Sequence, residues 1–212
     1  MYLGYLRTAL CVAVALSTTA LAQPNVTLDS PFQVRYASNL NVGDSVINIT
    51  NTGARGAGLQ AGTTASITGS ICANVYAFSP DEQMIACCSC PVTPNGLRSL
   101  SAQQDLINNT LTPAVPTSIV IKLLASAPVG GSCAGSAAAP GALTSGMAAW
   151  GTTIHAAPGG GHRVTETQFT PATLSDGELS RLTNLCTFII ANGSGFGVCN
   201  SCRLGGLGAG RR

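Results

Sequence analysis

Charge is the scarcest property of this sequence. Asp, Glu, Lys and Arg make up 8% of its 212 residues, against about a quarter in an ordinary soluble domain. Lys122 is the one lysine, His155 and His162 are the two histidines, and Trp150 is the single tryptophan. No basic run occurs apart from Arg211 and Arg212 at the terminus. The electrostatic footprint of nucleic-acid binding, or of attachment to an acidic membrane, is therefore missing. Beyond the first residues no segment approaches the roughly 18–20 apolar residues that a bilayer span needs.

Catalytic patterns are missing as well. No G-x-S-x-G elbow accompanies the histidines. The glycines at 51–58 lack G-x-G-x-x-G spacing, and that stretch reads as a loop. Asp81 and Glu82 belong to a turn, and Asp176 and Glu178 to a helix start, so no acidic pair is placed for glycoside hydrolysis. With aromatics at 5%, stacking platforms for sugars are few, Tyr36, Tyr76 and Trp150 being the candidates. These absences point away from an enzyme and imply no cofactor.

What is present begins with an export signal. Arg7 is a short basic region, ALCVAVA at 9–15 is an apolar core, and Ala20-Leu21-Ala22 is an A-x-A cleavage site. The expectation is a signal peptide over 1–22, a single domain over 23–202 and a flexible tail over 203–212. The exported chain would carry nine basic against eight acidic residues, a net charge of +1.

Cys11 falls inside the signal. Eight cysteines remain: Cys72, Cys87, Cys88, Cys90, Cys133, Cys186, Cys199 and Cys202. An even number behind an export signal reads as a disulfide framework. Cys199 and Cys202 have zinc-ligand spacing, but there is no second C-x2-C, and exported thiols oxidise. The same pair follows a helix instead of opening one, which disfavours redox catalysis.

The densest stretch is ICANVYAFSPDEQMIACCSC at 71–90, a hairpin turning at 79–83. Ile71, Ala73, Val75 and Ala77 point one way, and Cys72, Asn74, Tyr76 and Phe78 the other. A symmetric loop pairs Phe78 with Met84, Asn74 with Cys88 and Cys72 with Cys90. That register puts Cys72, Cys88 and Cys90 on one face and Cys87 on the other. It allows a local bridge from Cys72 to Cys90 or Cys88, and sends Cys87 elsewhere, to Cys186 or the 199–202 loop.

Around the hairpin, alternation marks strands at 32–36, 44–50 and 163–169, with Phe32, Val34 and Tyr36 sharing a face. Residues 97–100 read as a short strand, and 101–109 as either a helical turn or an extended connection. Residues 117–124 read as a central strand, with 147–157 antiparallel to it. The period then changes. Ser175 and Glu178 fit a capping box, and Leu179, Leu182, Cys186 and Ile189 form one stripe of a helix over about 176–191. The expected fold is an antiparallel β-sandwich, immunoglobulin-like, with one C-terminal α-helix and disulfide bracing.

The runs NLNVGDSVINITNTG at 39–53, CCSC at 87–90 and NGSGFGVCNSC at 192–202 resemble a group of exported, uncharacterised, cysteine-rich bacterial proteins. The resemblance implies export and a bacterial source, and no activity. The low-charge surface and covalent bracing lead to a non-enzymatic extracellular or cell-surface protein that self-associates, as a filament or matrix subunit. The alternative is a secreted module that binds a glycan or a protein partner.

Overall fold

The computed structural model describes residues 30–58 and 68–199 and the backbone of 203–204. The expected signal peptide, Cys202 and residues 205–212 lie outside them. The strands are β1 (Phe32–Ala37), β2 (Val46–Asn51), β3 (Ile71–Phe78), β4 (Met84–Val92), β5 (Leu97–Ser101), β6 (Ile119–Ser126), β7 (Met147–Ala156), β8 (His162–Gln168), β9 (Thr170–Pro171) and β10 (Arg203–Leu204). One helix, α1 (Asp176–Ala191), follows β9.

The strands form two antiparallel sheets. The first has the order β4-β3-β6-β1-β9 and the second β10-β5-β2-β7-β8. Ile47, Ile49, Leu100 and Ala149 of the second sheet pack with Ala73, Val75, Ile121 and Leu123 of the first, forming the sandwich core. The first sheet is buried on its other face too. There Phe32, Tyr76, Phe78 and Leu124 meet Leu179, Leu182, Cys186 and Ile189 of α1. Hence β3 is buried at all of its eight positions. Its sequence carries apolar residues in both phases because both faces need apolar cover, and the polar Asn74 is hydrogen-bonded to Leu124 O and Ser126 Oγ.

The helix has the bounds expected from its caps. Ser175 Oγ accepts from Glu178 N at 3.1 Å, satisfying one orphan donor of the first turn. Glu178 does not reach back; its carboxylate pairs with Lys122 Nζ on β6 at 2.6 Å. Chain reversal at the far end uses Gly193 at φ 66°, a left-handed conformation that costs glycine little.

The hairpin departs from the symmetric register by one residue. Phe78 does face Met84, but Ala77 then faces Ala86, Tyr76 faces Cys87, Val75 faces Cys88 and Ala73 faces Cys90. Ile85 is the extra residue of a β-bulge, and its carbonyl accepts from Leu111 N at 3.3 Å outside the ladder. A one-residue slip exchanges the faces of every residue beyond it. Cys72 and Cys87 therefore look toward the helix side, while Cys88 and Cys90 look into the sandwich. The expected local bridge from Cys72 is replaced by Cys72–Cys133.

Two further expectations change, and one open alternative is settled. Residues 147–156 form a strand, but in the second sheet, between β2 and β8, and not beside β6. The segment after β5 resolves as a π-helical turn, Ala102–Ile107, started by Ser101 Oγ accepting from Gln104 N. The expected tail begins as β10, paired with Ser99 and Arg98 of β5. Among the described residues no helix is long and apolar enough to cross a membrane.

Tyr76 ties the layers by a polar bond. Its side chain is fully buried, and its hydroxyl donates to Gly135 O at 2.7 Å. Burial pushes its ionisation well above the ordinary tyrosine range, because the phenolate would lose its water. The unfolded chain ionises near pH ~10, so this contribution is complete below that pH and declines as pH rises toward the folded value. Thermal melting should show a midpoint that falls above about pH 10. Tyr76→Phe should cost about 1–2 kcal/mol at neutral pH and flatten that alkaline decline.

Candidate functional site

The cysteines serve as joints. Cys72 bonds Cys133, Cys87 bonds Cys186 on α1, and Cys88 bonds Cys199. Cys90 is disulfide-bonded as well. Bonded sulfurs are not thiolate ligands, and no group of three or more metal-ligating side chains gathers among the described residues. The disulfides mark an oxidising compartment. Each joins the hairpin to a distant segment: the 127–146 loop, the helix, and the segment after it.

The histidines separate. His162 opens β8 on an exposed surface. His155 Nε2 lies 3.0 Å from Thr165 Oγ1, on one wall of a cleft of about 560 Å³ between β1 and β8. The cleft arises where the two sheets share a strand path. Gln168 still pairs with Trp150 in the second sheet, Phe169 is buried, and Thr170 pairs with Val34 in the first. Beyond Val34, β1 has no partner on this side, and the space between the sheets opens to solvent.

Arg35 sits in the cleft with 7% of its surface exposed. Its Nη1 donates to Thr167 O at 2.9 Å and to Thr167 Oγ1, and its Nη2 donates to Thr153 Oγ1 at 2.9 Å. Its Nε has no partner, and its guanidinium lies 5.9 Å from the centre of the Phe169 ring. Burial holds its pKa below the ordinary arginine value, and Glu166 pulls it part of the way back. Arginine still carries its proton at any physiological pH. Lys122–Glu178 is the ion pair found among the described residues, and among them the Arg35 charge has no ion-pair partner.

Sequence reading misses this residue. In the alternation at 32–36, Arg35 belongs to the polar phase, yet it turns inward while Tyr36 is 61% exposed. The apolar phase, Phe32 and Val34, is taken by the helix side of the sheet. The inter-sheet side is left to Gln33, Arg35 and the small Ala37. One signal was readable: Gly151 stands inside a strand, and a Cβ there would lie 2.3 Å from Arg35 Nε and 2.6 Å from Arg35 Cδ. Of the aromatics weighed as sugar platforms, Tyr76 is core, Trp150 is partly exposed on the outer face of the second sheet, and Tyr36 is at the cleft.

A Gly→Ala change inside an uncrowded strand is neutral or mildly stabilising. At Gly151 the guanidinium is held by three hydrogen bonds and cannot yield cheaply. Gly151→Ala is expected to destabilise by about 1–3 kcal/mol in denaturant unfolding; an unchanged midpoint would show that Arg35 is not fixed there. No family model, curated protein or solved structure matches this chain.

Proposed function

We propose that the protein is a non-enzymatic extracellular or cell-surface structural protein that assembles through the free edge of β8. The observation that carries this reading is the contrast between edges. At the β4 edge, Cys87 N donates to Gly197 O at 2.8 Å and Cys199 N to Cys87 O at 3.3 Å. The β5 edge is covered by β10, and the start of β1 by β9. Among the described residues β8 pairs only with β7, and all seven of its residues are exposed. An exposed edge of this length is a template for another strand.

The phase of the edge is set by two bonds. Ala157 N donates to Gly161 O at 3.1 Å and Phe169 N to Ala149 O at 2.8 Å. Odd-numbered residues of β8 therefore bond β7, and His162, Val164, Glu166 and Gln168 turn their backbone groups outward. An antiparallel pairing of two copies centred on Val164 sets His162 opposite Glu166 of the second copy, twice, and Val164 opposite Val164. Imidazole-to-carboxylate hydrogen bonding and apolar contact both favour this register. Such a pairing is isologous and closes as a dimer; a filament or matrix would add a second contact to that unit.

The immunoglobulin-like description applies to the layers alone. In an immunoglobulin sandwich the first strand pairs with the second, whereas β1 here lies between β6 and β9. A second functional reading, a secreted binding module for a glycan or protein, is favoured by the Arg35 cleft.

Val164→Pro tests assembly. It removes an outward N–H and leaves the β7 ladder intact. Light scattering with electron microscopy should show dimers or larger assemblies for the native disulfide-bonded protein, and monomers for Val164→Pro and Val164→Lys with unchanged circular dichroism. A native protein that stays monomeric at its highest soluble concentration contradicts the proposal.

A further inference from the structure

We infer that the cleft between β1 and β8 binds an acidic sugar, a pyranose ring bearing a carboxylate, with Arg35 as its charge partner. The inference rests on the binding-module reading and names the ligand class. A buried charge without a counter-charge is costly, and its usual remedy is a paired anion. Arg35 is 7% exposed, and among the described residues no carboxylate reaches ion-pair distance. Glu166, the acid whose field it feels, accepts from Asn48 Nδ2 at 3.3 Å on the outer face of the second sheet. No acidic side chain lines the cleft, so the cleft carries net positive charge.

The guanidinium is oriented. Three hydrogen bonds to Thr167 and Thr153 hold it, leaving two of its five N–H donors unassigned. The walls explain why the anion should ride on a sugar. Ser38, Thr153, Thr165, Thr167 and Thr170 bring hydroxyls to the cleft, and His155 adds an imidazole bonded to Thr165. Hydroxyls both donate and accept, as the hydroxyls of a pyranose do. The volume of about 560 Å³ falls within the range of small-ligand sites.

The test is an amide chemical-shift titration of the intact, disulfide-bonded protein with D-glucuronate, D-glucose and acetate. Glucuronate should move the amides of Thr153, Thr165 and Thr167 and bind at least tenfold more tightly than either other probe. Added salt should weaken it. Arg35→Gln should lose about tenfold or more. Because that variant alters a buried residue, Thr165→Tyr provides a second arm: it fills the cleft without removing an Arg35 hydrogen bond, and should also abolish the shifts. Equal binding of glucose overturns the acidic specificity while leaving the binding-module reading in place. Equal binding of acetate overturns the sugar. If no probe moves any amide of the cleft, both readings fall. Unchanged glucuronate binding by folded Arg35→Gln or Thr165→Tyr overturns the site.

Discussion

The structure depends on one extra residue. Ile85 bulges out of the β3–β4 ladder and sets which way every later residue of β4 faces. Without it Cys87 would point into the sandwich, and Cys88 and Cys90 toward the helix. With it, Cys87 meets Cys186 on the buried stripe of α1. Cys88 meets Cys199 on the segment that runs beside β4. The bulge is held from outside the ladder by the bond from Leu111 N to Ile85 O, so the carbonyl of the extra residue has a partner.

The other features follow from that joint. Anchoring α1 on the outer face of the first sheet makes this sheet the middle layer, which is why β3 and β6 carry apolar residues in both phases. The 61, 99 and 111 residues that separate the paired cysteines are long loops to close. Cross-links of that span restrict the unfolded chain most and contribute about 4 kcal/mol each in the chain-entropy model. A chain with 8% charged residues has few surface ion pairs to draw on, and covalent bracing takes their place. The segment that the Cys88–Cys199 bond brings in also covers the β4 edge. β8, which carries no cysteine, has no further strand on its edge among the described residues and forms one wall of the Arg35 cleft.

Much of the fold was legible in the sequence. The capping serine, the stripe at Leu179, Leu182, Cys186 and Ile189, and the turn at Gly193 gave α1 its bounds. Alternation found β1, β2, β3 and β8, and the apolar run at 117–124 found the central β6. The register of β4 was not legible, because a bulge is decided by tertiary contacts such as the Leu111 bond, and nothing in MIACC announces it. The sheet to which β7 belongs was equally hidden, since alternation gives a strand's faces and not its neighbours. Arg35 was hidden for a related reason. Period-2 reasoning assigns the polar phase to solvent, and that fails where the apolar phase is claimed by a helix.

The layering rests on the orientation of the hairpin cysteines, and non-reducing peptide mapping by mass spectrometry reads that orientation. The expected links are Cys72–Cys133, Cys87–Cys186 and Cys88–Cys199. Cys90 is also bonded and should appear cross-linked, not as a free thiol. A link from Cys72 to Cys88 or Cys90 would mean the symmetric register, and would contradict the bulge and the layering built on it.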